Sequence, residues 1–291
     1  MRAPLIFALT LSLSTCGLAQ GFSGGFRAGL NFIGFSGDLE MSADGSETYE
    51  FNNRTTGFHV GATFAYEITD LVGLKADLMY SQKGGERRFD GPGYFFLYAG
   101  PEDTEGELLV GQRSSELDVV NSYIDIPLTA YYRLGPLEIE GGVTAGFLVN
   151  SRVSGGITYS GVPGFNGDFV FGVDGNYFND EAAGGGVVSV NEDAFPGRPN
   201  LFTPQTVSAY YNSNSNEKLY RRLNFGLVGG LAYYLNNGLY IGGRYQLGLT
   251  DVTRGENDLR FTVDPTNPGR TFNEDDQDLT RTIQVSVGFR F

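Results

Sequence analysis

Cysteine, histidine and tryptophan are nearly missing from this sequence, which has one Cys, one His and no Trp in 291 residues. A single cysteine cannot form an intramolecular disulfide framework. A single histidine disfavours a histidine-based zinc site. Positive charge is also scarce, because 20 Lys and Arg stand against 34 Asp and Glu, a net charge of −14. Proteins that bind nucleic acid present a basic face, so the composition argues against that class.

Long apolar runs are missing too, since no stretch approaches the ~20 apolar residues of a transmembrane helix. The N-terminal segment MRAPLIFALTLSLSTCGLAQ combines a basic Arg2, a short apolar run and a small-residue cleavage site that ends at Ala19. This pattern predicts a secretory signal peptide over residues 1–19 and a mature domain over residues 20–291. The alternative is a lipoprotein acylated on Cys16. It is disfavoured because Thr15 stands where Gly, Ala or Ser usually precedes the cysteine.

The residues that are abundant are those of β-strands and tight turns, with 43 Gly, 23 Phe and 17 Tyr. Aromatic residues favour pleated surfaces, and glycine weakens helices. Apolar and polar residues alternate in eight stretches, each long enough to cross a bilayer as a tilted strand. The predicted strands span approximately 25–36, 56–68, 72–80, 119–133, 137–152, 223–235, 239–250 and 282–291.

The connections between these strands alternate between short and long. Three are tight turns, ITDL, RLGPL and LNNGL, and four are long, at about 37–55, 84–118, 153–219 and 251–280. All long loops therefore emerge at one end, as in outer-membrane barrels. The sequence predicts an all-β fold: an eight-stranded antiparallel up-and-down transmembrane β-barrel with short periplasmic turns and long extracellular loops.

A soluble β-sandwich would also alternate, but it would place its charged face in solvent. Here the face opposite the apolar one carries charges that suit a lumen: Arg27, Glu67, Lys75, Asp77, Glu138, Glu140, Arg244 and Arg290. Aromatic residues on the apolar parity gather near the short turns, as in an interfacial girdle: Phe26, Tyr66, Tyr132, Tyr233, Phe289 and Phe291. Both patterns favour the barrel.

Two residues carry separate expectations. Phe291 ends the last strand on the lipid-facing parity, which resembles the C-terminal signal read by the outer-membrane assembly machinery. That machinery is therefore an expected partner. Pro127 lies on the lumen parity of the fourth strand and cannot donate to a ladder, so we expect a local bulge to accommodate it.

Several segments resemble a known family. SYIDIPLTAYYRLG (122–135) and LNFGLVGGLAYYLNNGLYIGGRYQLGLTDV (223–252) are similar to strand signatures of the PorT-like outer membrane β-barrel proteins of Bacteroidota. FRAGLNF and the terminal VSVGFRF also fit that family. The resemblance covers all eight strands but not the long loops. It implies the barrel scaffold and, through the family's namesake, an accessory role in type IX secretion.

His59 is the only histidine, on the lumen parity near the outer end of the second strand. A hydrolase could use it with a Ser and a carboxylate. A lipid-modifying enzyme would need that pair at the lipid boundary, and the lumen parity points away from lipid. We therefore interpret His59 as a hydrogen-bonded lumen residue, and we predict no catalytic residue, no metal site and no cofactor.

The long loops hold the remaining candidates. The acidic stretches GPEDTEGE (100–107) and NEDDQD (273–278) could hold calcium, but neither follows an EF-hand pattern, so a solvated charge run is favoured. The third loop, about 153–219, is the best candidate for binding, and its residues 169–171 are expected to extend a hairpin above the membrane.

The predicted function follows from the narrow interior of an eight-stranded barrel, which side chains can fill. We expect a structural or binding role through the extracellular loops, without catalysis, in the outer membrane. The expected partners are outer-membrane lipid, lipopolysaccharide and components of a secretion system. The alternatives are an accessory part of a type IX-like secretion or assembly system, and a small porin.

Overall fold

The computed structural model describes residues 21–42, 44–97, 107–176, 178, 187–189, 202–204, 220–236, 238–253, 260–264, 267–273 and 277–291. The predicted signal peptide lies outside the described residues, and its boundary stays a prediction. Among the described residues, no helix is long and apolar enough to cross a membrane. The strands are β1 (Phe22–Ser36), β2 (Glu50–Asn53), β3 (Thr55–Glu67), β4 (Val72–Leu97), β5 (Glu107–Leu134), β6 (Leu137–Ser160), β7 (Phe169–Asn176), β8 (Val187–Ser189), β9 (Phe202–Pro204), β10 (Leu223–Tyr234), β11 (Leu239–Gly248), β12 (Arg260–Asp264), β13 (Asn267–Asn273) and β14 (Leu279–Arg290).

Eight of these strands close into a ring. The order is β1-β3-β4-β5-β6-β10-β11-β14, and β14 returns to β1, with every pairing antiparallel. At the closure Phe26 lies opposite Phe289, and the backbone N–H of Phe291 donates to the carbonyl of Gly24 at 2.9 Å. The predicted barrel, with its eight transmembrane strands, is confirmed.

The two faces of the wall follow the predicted parity. Phe26 and Val287 are 58% and 55% exposed on the outside, whereas Arg27 and Glu138 are 2% and 0% exposed on the inside. Outside the barrel, Phe26 and Phe289 stack with ring centroids 6.1 Å apart near the short-turn end. The apolar outer band is the surface that lipid covers in a membrane barrel.

Three strands are much longer than predicted. β4, β5 and β6 contain 26, 28 and 24 residues, and the β4–β5 ladder continues to the pair Leu97 and Glu107. Residues 84–97 and 107–118, predicted as loop, are therefore strand. The third loop also begins as sheet, because β6 pairs with β7, which confirms the hairpin expected at residues 169–171.

The sequence pattern missed these strand segments because, above the bilayer, the outward-facing residues are polar and the inward-facing residues are apolar. In lower β4, Leu78 faces outward and Asp77 inward; in upper β4, the exposed Asp90 faces outward and the buried Phe95 inward. Water replaces lipid outside the wall at that height, so polar residues belong there and apolar residues turn inside.

A β-bulge corrects the predicted parity of upper β6. The β5–β6 register shifts between Ser122 and Tyr123, and one extra β6 residue, Val149, has no partner in that ladder. Leu148, before the bulge, keeps the predicted inward parity at 1% exposure. After the bulge Ser151 is buried inside and Asn150 is exposed on the outside, so the predicted inward position of Asn150 is wrong.

Pro127 is buried on the lumen side as predicted, but the bulge expected there is wrong. The β4–β5 register is unchanged on both sides of Pro127, and the ladder lacks the two pairs between Ala76–Leu128 and Met79–Asp125. The proline interrupts the ladder locally because it has no N–H to donate, and the strand continues without an insertion.

Candidate functional site

The lower lumen is filled by a network of buried ion pairs. Glu138 accepts hydrogen bonds from Lys75 at 2.6 Å and from Arg133 and Arg290 at 3.3 Å each. Its side chain is fully buried. Three cations converge on one carboxylate, which fixes the side chains across the barrel.

A second carboxylate pair continues the network upward. Glu140 accepts from the Nη2 of Arg244 at 3.0 Å, and it also pairs with Lys75. Asp77 pairs with Arg244 and, at 3.4 Å, with Arg27. All of these side chains are 6% exposed or less. The predicted lumen charges therefore meet one another, which leaves a filled interior.

His59 lies above these charges and is 1% exposed. Its Nδ1 lies 2.7 Å from the Oδ1 of Asn31, and its Nε2 lies 2.9 Å from the Oγ of Ser286. This Ser–His–Asn geometry resembles a hydrolase site, but Ser286 is 1% exposed and faces the filled lumen. Neither bulk lipid nor a solute can approach the hydroxyl there, so the interpretation as a hydrogen-bonded lumen residue fits the geometry.

The outer end of the barrel is closed by an apolar core that the sequence reading missed. Phe95 of β4 packs against Tyr159 of β6 and Phe169 of β7, each with ring centroids 4.7 Å apart. Aliphatic residues of β5 and β6 and residues of the bases of two long loops complete the core: Leu109, Leu117, Val119, Val153, Ile157, Tyr220 and Val252. The inverted alternation in β4 was the signal that could have located it.

This core supports one face of an extracellular sheet made of upper β4, β5, β6 and β7. The other side of that sheet, which we call the exterior face, is mainly polar, with Val170 as an exposed apolar exception. It carries the ion pairs Arg88–Glu116 at 3.2 Å and Arg152–Asp174 at 2.9 Å. Small residues lie between the charges: Ser114, Ser154, Gly156, Thr158 and Gly172. The exterior face is therefore a surface of charged and short side chains that is supported by the apolar core beneath it.

The two acidic stretches fall largely outside the described residues. Asp278 is described, and it is not the solvated residue that the charge run predicted: it is 3% exposed. It accepts hydrogen bonds from Arg87 and from the hydroxyl of Thr253, and its backbone N–H donates to Asp251 at 3.0 Å. Asp278 thus ties the base of the fourth loop to β4.

Comparison with known proteins agrees with this architecture. The family model of the outer membrane protein beta-barrel domain matches residues 18–254. The chain belongs to this outer-membrane β-barrel family. The match includes seven of the eight transmembrane strands, and β14 lies beyond it. No curated protein sequence matches the chain significantly.

Solved structures with a similar arrangement are also outer-membrane proteins. Ail of Yersinia pestis is 11% identical, with 93% of this chain and 99% of that chain covered and a TM-score of 0.35. OprG of Pseudomonas aeruginosa is 12% identical, with 93% and 96% covered and a TM-score of 0.37. The protease OmpT of Escherichia coli is 9% identical, with 93% and 96% covered and a TM-score of 0.31.

Proposed function

We propose that this member of the outer-membrane β-barrel family is a non-catalytic surface protein that binds a polar extracellular partner on the exterior face. The observation that carries the proposal is the inverted alternation of β4. A strand that only anchors a loop could end at the bilayer, whereas this strand continues into a folded sheet with its own apolar core. Such a rigid sheet can hold a binding surface at a fixed distance from the membrane.

The chemistry of the exterior face indicates the kind of partner. Its serine and threonine hydroxyls and its paired charges offer hydrogen bonds, and Val170 is an isolated apolar side chain among them. A lipid or an apolar ligand gains little on such a surface, because it would bury polar groups without partners. A polar partner, in contrast, can satisfy these groups.

The filled lumen supports this proposal over the two other activities considered. A small porin needs a continuous polar path, but the ion pairs fill the lower lumen and the apolar core lies above them. A lipid-modifying enzyme needs Ser286 and His59 at the lipid boundary, and both are buried. The PorT-like accessory role in secretion rests on the resemblance of strand motifs alone, and no contact among the described residues favours it.

Photocrosslinking on intact cells tests the proposal. A photoreactive amino acid is placed at Ser114 or Ser154 in the middle of the exterior face, and at the exposed Ser46 of the first loop as a matched control. We expect a discrete adduct from both face positions and none from the control position. Equal adducts from all three positions, or only lipid adducts from the face, would contradict a specific binding surface.

A further inference from the structure

The periplasmic mouth of the barrel contains an open concavity of about 430 Å³. It lies between the β5–β6 turn, the β10–β11 turn and the end of β14. Its lining residues are Arg133, Gly135, Pro136, Tyr234, Asn236 and Arg290. This volume is within the range of small-ligand pockets. The filled lumen lies behind it, so the concavity ends at the network rather than leading into a channel.

Two arginines of this pocket are held in place by tyrosine rings. The guanidinium carbon of Arg133 lies 5.7 Å from the ring centroid of Tyr131 and 5.3 Å from that of Tyr234. The corresponding distances for Arg290 are 5.5 and 5.2 Å. A guanidinium within about 6 Å of a ring centroid is attracted to the ring, which restrains the position of both side chains before any ligand arrives.

The donors of these arginines are incompletely used. Their contacts with Glu67 and Glu138 measure 3.3–3.5 Å, longer than the ~2.7–2.9 Å of strong charge-assisted hydrogen bonds. The Nε of Arg133 is buried and has no hydrogen-bond partner among the described residues. The Nη groups, whose contacts are the long ones, can therefore take a further acceptor from the pocket.

The linked network also has more positive than negative groups. Ion pairs join five cations, Arg27, Lys75, Arg133, Arg244 and Arg290, to four carboxylates, Glu67, Asp77, Glu138 and Glu140. Over the residues that the structure describes, this linked network therefore has one more cation than carboxylates. This surplus of positive charge favours an anion at the mouth, where Arg133 is 25% exposed and within reach of a ligand.

We propose that this mouth pocket binds a small periplasmic ligand through a carboxylate or phosphate group, held by the guanidinium groups of Arg133 and Arg290. A carboxylate and a phosphate can each accept two parallel hydrogen bonds from the planar guanidinium of arginine. The carboxylate that an incoming anion displaces is Glu67, because its side chain is 42% exposed while that of Glu138 is fully buried.

The binding test uses the whole barrel in micelles of a neutral detergent. The Nε–Hε NMR signals of Arg133 and Arg290 are followed during three titrations: inorganic phosphate, an N-acetylated dipeptide with a free carboxylate, and the same dipeptide amidated. We expect saturable shifts with the free carboxylate or with phosphate, and none with the amide. The first two titrations distinguish a peptide end from a phosphate. Equal shifts with acid and amide, or no saturation with either anion, would overturn the proposal.

Three variants sharpen the test. Arg133→Lys keeps the charge but loses the fork, and should weaken binding about tenfold, the size of one charge-assisted hydrogen bond. Glu67→Gln removes the competing carboxylate at an exposed position and should tighten binding, which a merely structural role would not do. Arg152→Gln, an exposed arginine on the exterior face, is the control and should bind as the parent does. Weaker anion binding by Glu67→Gln would contradict the proposed binding mode even if Arg133→Lys fails to fold.

Discussion

Neutralising Glu138 should destabilise the barrel more than any comparable change on its surface. In Glu138→Gln the side chain keeps its shape, but Lys75, Arg133 and Arg290 lose the carboxylate on which they converge. The residue is fully buried, so water cannot replace the lost charge. Removing one partner of a buried ion pair costs about 3–5 kcal/mol, because the remaining charge stays buried.

The matched control is Glu116→Gln, which makes the same chemical change on the exterior face. Glu116 pairs with Arg88 at 3.2 Å, and the two side chains are 63% and 50% exposed. An exposed pair contributes about 0–1 kcal/mol. Urea unfolding in detergent micelles, read by heat-modifiable gel migration, should therefore separate the two variants by about 2–5 kcal/mol.

A double variant distinguishes electrostatics from packing. Lys75→Gln combined with Glu138→Gln removes both members of the 2.6 Å pair, so its cost should be smaller than the sum of the single costs by about 0.5–3 kcal/mol. Equal unfolding free energies of Glu138→Gln and Glu116→Gln, or single costs that simply add in the double variant, would contradict an electrostatic role of Glu138.

Three more predictions follow from the closed wall and filled lumen. The purified barrel in a planar bilayer should show no stable conductance, because ion pairs and the apolar core obstruct the lumen; reproducible large channels would contradict this. Gly288→Val should reduce the folded fraction on heat-modifiable gels, since a Cβ at Gly288 collides with the ring of Tyr240, and a folded fraction equal to the parent's would show that the ring can move. A tag after Gly164 should be cleaved by protease on intact cells while one after Asn236 is protected; the reverse pattern would invert the topology.

The transmembrane part of the fold could be predicted from the sequence because the bilayer imposes one rule on every strand. Lipid outside and a mainly polar lumen inside make residues such as Leu78 and Asp77 alternate over most of the membrane-spanning length, although a few apolar residues such as Met79 also face inward. The short turns also kept their residue chemistry: Gly135 adopts a positive φ of 61° in the β5–β6 turn. Parity alone then placed every predicted lumen charge correctly.

The upper strands could not be found by the same rule, because their alternation runs in the opposite phase. Phe95 and Asp90 look like loop residues when lipid-facing apolar positions are expected, and glycines such as Gly84 and Gly93 dilute the pattern. The bulge at Val149 is equally invisible, since one extra residue changes the parity of upper β6 without any proline or glycine to mark it. The mouth pocket is formed by three segments that are distant in sequence, and only the closure of the barrel brings them together.

The height at which the alternation inverts also limits where this protein can act. Below that height the outer surface is covered by lipid and the inner surface is committed to ion pairs, so neither surface is available to a soluble partner. Apart from exposed loop residues such as Ser46, two structured surfaces remain accessible among the described residues. They are the exterior face, backed by Phe95 and Tyr159, and the mouth pocket at the opposite end. The filled lumen between the two surfaces blocks the passage of a solute. The strands still connect them, since β5 carries Ser114 towards one end and Arg133 towards the other. Binding at the two ends is therefore expected to be independent unless the barrel itself deforms, and the loss of extracellular adducts in Arg133→Lys would be evidence of such deformation.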